Sequence, residues 1–166
     1  MQKEEKLRYP DTDDITPIIQ AYSNILFRIC IIILKNEQDV QDVLQETYIR
    51  YMQKAPIFED EEQIKAWLIR VAVNLCKDFL RFHKRNNYMD YESIERYYQG
   101  PEQSAEHAEV MECLLKLNVK YKAILLLHYV EGYNVKEIAK IMALTESAVK
   151  KRMQRGRVIL KNMLSA

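Results

Sequence analysis

The chain is poor in the residues that interrupt helices: three glycines and four prolines in 166 positions. Sandwiches and barrels need turn residues at short, regular intervals, so an all-β fold is excluded. With glycine only at 100, 132 and 156, no P-loop, GxGxxG or GxSxG can be written. Cys30, Cys76 and Cys113 are odd in number and far apart, with no CxxC. That removes a disulfide framework and a zinc site. His83, His107 and His128 are equally scattered, with no HExxH. Buried or half-buried core positions are the plainer reading for most of these six side chains. The longest uninterrupted apolar run, Ile29 to Leu34, is flanked by Arg28 and Lys35, far short of the roughly 20 residues of a membrane span. The opening MQKEEKLRYPDTDD lacks the apolar stretch of a signal peptide. The expectation is a cytoplasmic protein without membrane insertion, catalytic residues, metal or cofactor.

What is present suits helices. At 48% apolar and 30% charged residues, the chain can bury a core and is too apolar to stay disordered. The expected class is all-α. The net charge of +1 hides a strong segregation. Residues 1–64 carry 7 basic and 13 acidic side chains, and residues 65–85 carry 6 and 1. Residues 86–146 carry 6 and 10, and residues 147–166 carry 6 and none. Two short basic segments therefore sit in an otherwise acidic chain.

The first belongs to a helix expected from about Glu61 to Arg85, opened by Asp60 and Gln63 in capping-box spacing. At 100° per residue, Ile64, Leu68, Val71, Leu75, Phe79 and Phe82 share one face. Arg70, Asn74, Lys77, Arg81, Lys84 and Arg85 share the other. A solvated surface is the plain explanation of such a charge run. Against it, Asp78 is the lone acid among the cations, whereas ordinary helix surfaces mix both signs.

The second basic segment has more context. Asn134 and Glu137 read as a capping box for the helix VKEIAKIM; Ala143 and Leu144 make a tight turn, and Thr145 N-caps a helix running toward Leu164. Ile138, Ala139, Met142, Leu144 and Val149 would pack between the two, with the small Ala139 allowing a close crossing. This is helix-turn-helix spacing, in which the second helix enters the major groove of DNA. Val149, Met153, Gly156, Leu160 and Met163 form its inward stripe. Ser147, Lys150, Lys151, Gln154 and Arg155 point away and can reach base edges, while Arg152, Arg157 and Lys161 can hold phosphates. The turn position usually taken by Gly is Ala143, and a left-handed conformation there would cost on the order of 1 kcal/mol. An amphipathic hairpin with a basic surface is the competing explanation.

A third surface lies on residues 36–53. Val40, Val43, Leu44, Thr47 and Tyr51 supply a buried side, and Asp39, Asp42, Gln45, Glu46 and Arg50 line another face. Polar helix faces usually meet solvent, but this carboxylate–amide face also suits a basic partner helix. No histidine accompanies the carboxylates in Glu-x-x-His spacing, so a di-iron site is unsupported. Residues 86–109 are acidic apart from Arg96, and Asn86-Asn87 and Gly100-Pro101 break the helical pattern. The expected architecture is two small helical domains, 1–85 and 105–166, joined by a flexible acidic linker, 86–104; the second is the helix-turn-helix domain.

The blocks DVQDVLQETY, KAWLIRVAVNLCKDFLR and ILLLHYVEGYNVKEIAKIMALTESAVKKRMQRGRVIL, in this order and spacing, resemble a bacterial sigma-70 family sigma factor of the short extracytoplasmic-function (ECF) group, which keeps regions 2 and 4. The resemblance covers most of residues 15–164. It implies that Asp39, Asp42, Gln45, Glu46 and Arg50 meet the clamp helices of RNA polymerase's largest subunit, and that the second domain meets the beta flap. It implies −10 contacts by Arg70, Asn74, Lys77, Asp78, Arg81 and Arg85, and a flipped-base pocket near Lys54 to Gln63. It implies −35 contacts by Thr145, Ser147, Lys150, Lys151, Arg152, Gln154, Arg155 and Arg157. The implied partners are core RNA polymerase, promoter DNA and an anti-sigma factor. Two positions depart from the family pattern: Asn118 stands where Pro is common and Gly156 where Ala is. Two other readings remain: a sigma-like protein-interaction adaptor, and a stand-alone helix-turn-helix regulator.

Overall fold

The computed structural model describes residues 14–83, 89–97 and 105–165, all helices and connections with no β-strand among them. The first lobe is built from α1 (Thr16–Leu34), α2 (Glu37–Lys54) and α3 (Glu61–Phe82). Pro17 stands in the first turn of α1, where a missing amide costs nothing, and Lys35 ends the helix in the left-handed region at φ 53°. Ile29 to Leu34 is buried on every face. The reason is that α2 and α3 cover one side of α1 and α6 of the second lobe covers the other. By length and composition α1 is apolar enough to cross a bilayer, its few polar residues interrupting the run without changing its average; it serves here as a core helix.

Asn36 caps α2 by accepting from the Asp39 amide at 3.0 Å. Val40, Val43, Leu44, Thr47 and Tyr51 are buried as the periodicity predicts. Asp60 caps α3 by accepting from Gln63 N at 2.9 Å, but the Gln63 side chain reaches back to the Glu59 amide and not to Asp60. The buried arc of α3 is wider than the six-residue stripe: Ile69, Ala72, Val73 and Cys76 are also inside, while Phe82 is 74% exposed. A helix wedged between α1, α2 and α7 needs apolar residues on more than one face. Cys30 and Cys76 are core residues and Cys113 half-buried, but of the histidines only His128 is, with His83 and His107 exposed.

Part of the acidic linker has a fixed place. The Met89 amide donates to the Lys35 carbonyl at 2.7 Å, and Asp90 caps the short α4 (Tyr91–Glu95). Ile94 is fully buried, and Tyr97 packs on Phe27 at 4.9 Å between ring centroids.

The second lobe holds α5 (Ala105–Leu115), α6 (Val119–Tyr129), α7 (Val135–Met142) and α8 (Glu146–Ser165). Asn118 caps α6 through Lys120 N at 3.0 Å, which gives this departure from the family pattern a local role. The Asn134–Glu137 capping box is closed in both directions. Ala143 is left-handed at φ 52°, so the turn does carry the backbone cost of a residue with a Cβ. Thr145 Oγ1 accepts from Ala148 N at 3.1 Å. Gly156 lies where α8 crosses α6: a Cβ there would stand 2.9 Å from Leu125 Cδ1 and 3.3 Å from Tyr121 Cβ. The glycine lets the two helices touch.

Candidate nucleic-acid interface

The α8 face is set by its cap and its inward stripe. Val149, Met153 and Gly156 are buried and Leu160 and Met163 half-buried, so the helix can turn only one side to solvent. That side carries Ser147, Lys150, Lys151, Gln154, Arg155 and Arg157, all exposed together with Thr145; Arg152 is half-buried. The front of the helix thus presents two ammonium groups, an amide and a guanidinium to solvent, the chemistry that reads guanine and adenine edges and holds phosphates. Arg157 is steered from outside the motif: its Nε donates to the Tyr129 hydroxyl at 2.6 Å, and its guanidinium lies over that ring.

The α3 face is divided. Asn74, Asp78 and Arg81 are exposed. Arg70 is not free: its Nε donates to the Ile141 carbonyl at 2.9 Å and its Nη2 to the Lys140 carbonyl at 3.0 Å. These are last-turn carbonyls of α7, which lack helical partners and carry the negative end of the helix dipole. Arg70 therefore acts as a cap for the first helix of the helix-turn-helix. Lys77 is half-buried; burial holds its ammonium below the usual lysine range, and Arg152 and Lys120 push the same way. Arg85 and Lys84, expected on this face, lie outside the described residues.

Between the lobes lies a cleft of about 730 Å³. The loop before α3, the first turn of α3 and Trp67 form one wall, and Tyr133, Glu137 and Lys140 form the other. Ile57 at its mouth is 79% exposed, while Tyr51, Phe58 and Trp67 pack as an aromatic group with centroids 6.0 to 6.3 Å apart. The expected base-pocket loop and the helix-turn-helix thus face each other.

On α2, Asp42 and Gln45 are exposed, and Glu46 pairs with Arg50 at 3.2 Å. Asp39 corrects the expectation. It is 1% exposed, on the side of α2 that it shares with the buried Val40 and Val43, and not on the open face.

Besides the Arg70 cap, further interlobe contacts escaped sequence reasoning. Arg28 on α1 forms a two-pronged pair with Glu131, Nε to Oε1 at 3.3 Å and Nη2 to Oε2 at 3.1 Å. Lys65 on α3 lies over the Tyr133 ring, 5.2 Å from its centroid. Lys122 on α6 is 3% exposed, with Nζ 3.4 Å from the Ile32 carbonyl in the last turn of α1. Burial, then the nearby Lys35, pushes its pKa down to about 7, while Cys76 opposes the shift. A lysine directly before the apolar run Ala123–Leu127 of α6 was the available signal, but helix periodicity cannot name a partner ninety residues away. Among the described residues no group of three His, Cys, Asp or Glu could hold a metal ion.

The family description "Sigma-70 region 2" matches residues 18–86, and "Sigma-70, region 4" matches residues 107–160. The ECF RNA polymerase sigma factor SigM of Bacillus subtilis (strain 168) is 32% identical over 152 residues, covering 89% of this chain and 93% of that protein. RNA polymerase sigma factor SigV of the same organism is 30% identical over 147 residues, covering 89% of each chain. In fold alone, the chain is similar to the sigma factor RpoE of Bartonella quintana, solved with the anti-sigma factor NepR. The TM-score is 0.67 at 17% identity, over 93% of this chain and 98% of that one.

Proposed function

The chain belongs to the sigma-70 family, in its ECF group, and from that premise we propose that it binds core RNA polymerase and directs it to a promoter class by reading −10 and −35 elements. It has no enzymatic activity of its own. The domains run 1–85 and 105–166, with residues 86–104 between them. Asp42, Gln45, Glu46 and Arg50 meet the clamp helices of the largest subunit, and the second domain meets the beta flap. Asn74, Lys77, Asp78, Arg81 and Arg85, with Arg70 once released from α7, meet and help open the −10 element. Melting costs a few kcal/mol per unstacked base, which trapping a flipped base beside Trp67 and Phe58 helps offset.

The observation that carries this reading is the solvent-facing row Lys150, Lys151, Gln154 and Arg155 on a helix held in helix-turn-helix geometry by the Asn134 and Thr145 caps. On this reading the −35 contacts are made by Thr145, Ser147, Lys150, Lys151, Arg152, Gln154, Arg155 and Arg157. The protein works in the cytoplasm, and its inhibitor is an anti-sigma protein, as NepR is for RpoE.

The test is run-off transcription by reconstituted holoenzyme on genomic fragments from the source organism. Changing Lys150, Lys151 and Arg155 together to Ala should cut promoter-specific product at least about a hundredfold, each lost contact contributing about 1–3 kcal/mol. Polymerase binding in a pull-down should survive. Unchanged product removes the DNA-reading assignment and leaves the adaptor. Tight, specific DNA binding without polymerase would favour the stand-alone regulator.

A further inference from the structure

Tyr129, the last residue of α6, lies outside the helix-turn-helix and outside the −10 row. It stands on the side of α6 that α8 crosses. Tyr121 and Leu125, at i−8 and i−4 from it, meet Gly156, and Tyr129 meets the next residue of α8, Arg157. Gly156 is buried and makes the close crossing. Tyr129 is 58% exposed and Arg157 is exposed, so their contact adds little to the stability of that crossing.

The way Tyr129 holds Arg157 leaves the arginine's charge intact. Arg28, Arg50 and Arg96 each pair with a glutamate. Arg157 instead donates Nε to a neutral phenol oxygen at 2.6 Å and lies over the ring, 5.5 Å from its centroid. A carboxylate would orient the guanidinium equally well but cancel its charge. The ring is braced in turn: His128 packs against it edge-on at 4.7 Å, and His128 Nδ1 donates to the Tyr133 carbonyl at 2.7 Å. Two sets of donors face solvent, the Nη groups of Arg157 and the Tyr129 O–H, whose proton no described residue takes. A hydroxyl whose oxygen accepts from a cation is the stronger donor for it.

The surrounding charge favours an anion. Residues 147–166 contain no acid, and Glu131, the carboxylate nearest Tyr129 in sequence, is taken by Arg28. Lys150, Gln154 and Arg157, at i, i+4 and i+7, share one side of α8. Arg157 therefore stands two turns, about 10 Å, behind Lys150. With the front of the helix at base edges, a cation that far back meets the sugar–phosphate backbone at the rim of the groove.

We propose that Tyr129 and Arg157 form one site for a backbone phosphate of duplex DNA, the phenol O–H and the arginine Nη groups donating to the same phosphate. The site sets how the recognition helix sits in the groove and reads no base. It rests on the promoter-reading role for its place beside the −35 element; the phosphate contact itself carries no sequence.

The test is the affinity of reconstituted holoenzyme for a promoter duplex and for a scrambled duplex of equal length, over a range of salt. Tyr129→Phe keeps the ring under Arg157 and removes only the hydroxyl. It should weaken promoter binding about tenfold, the loss of a hydrogen bond to a charged acceptor. Arg157→Ala should weaken it about as much and lower the salt slope by about one. A single mismatch in the −35 bases should leave both factors unchanged, since a backbone contact carries no sequence. In the Arg157→Ala chain, Tyr129→Phe should cost much less, because groups on one phosphate are coupled. An undiminished cost there overturns the shared site, as does wild-type affinity in Tyr129→Phe. So does a loss that comes with a lowered thermal midpoint, which would make Tyr129 a strut between α6 and α8. A wild type that binds both duplexes alike removes the promoter-reading role. In that case a loss of about tenfold by Tyr129→Phe on both duplexes leaves the phosphate site standing, and no loss on either removes it too.

Discussion

Replacing Lys122 by methionine should abolish most of the pH dependence of stability between pH 7 and 9. In the folded chain the Lys122 amine is buried beside Lys35, Cys76 and the Ile32 carbonyl, and its pKa falls from 10.5 to about 7. Once the chain unfolds the amine titrates near its ordinary value, so between those limits the unfolded state binds the extra proton. Stability therefore rises with pH in that window, by up to about 1.4 kcal/mol per pH unit. Below about pH 7 both states are protonated and the slope from this group vanishes. Methionine keeps an unbranched apolar side chain one atom shorter and removes the titrating amine. It loses the donor to Ile32, worth about 1 kcal/mol, but also the larger cost of burying an amine, so the variant should equal or exceed the wild type at pH 7. The assay is urea unfolding followed by helicity at pH 7, 8 and 9, comparing the two chains at each pH so that other titrating groups cancel. Wild-type stability should gain about 1 kcal/mol per unit relative to the variant. Parallel pH profiles would refute the reasoning, because they would mean that the amine stays charged or is solvated. If the lobes part before they unfold, the proton is taken up at parting, and the same slope appears in that first step.

Two further predictions concern single positions. Gly156→Ala gains about 1 kcal/mol of helix propensity but drives a methyl to 2.9 Å from Leu125 Cδ1 and 3.3 Å from Tyr121 Cβ. Overpacking of about 1–3 kcal/mol should win, lowering the thermal midpoint by a few degrees; a raised midpoint would show that α6 yields freely. Asp42→Lys, on the exposed α2 face, should weaken core polymerase binding about tenfold or more in a competition assay, through reversed charge at a complementary surface. Asp39→Asn should instead act through stability, since Asp39 is buried. Equal loss of polymerase affinity at undiminished stability for both would put Asp39 back on the docking face.

Local features were legible because they depend on neighbours three and four residues away. The Asn134–Glu137 box, the Thr145 cap, the left-handed Ala143 and the inward stripe of α8 all follow from helix geometry. So does the exposed row from Lys150 to Arg155, since a helix with one buried stripe can show solvent only its other side. The reasoning weakened where a helix has several neighbours. The stripe of α3 left out Ile69, Ala72, Val73 and Cys76, because packing against α7 adds a second buried face that period alone does not reveal. Asp39 was misplaced for a related reason: spacing puts a residue on a face but does not say what covers that face.

Composition and periodicity by themselves determined that this chain is helical, that its charge is segregated, and which helix can present cations to DNA. These are properties of short stretches, governed by capping, turn chemistry and the 3.6-residue repeat. Only the tertiary structure decided that the lobes meet, that Arg70 caps α7, and that Arg28 and Lys122 find partners about a hundred residues away. Such contacts are set by the shape and charge of two separately formed surfaces, and no local pattern in either one encodes the other.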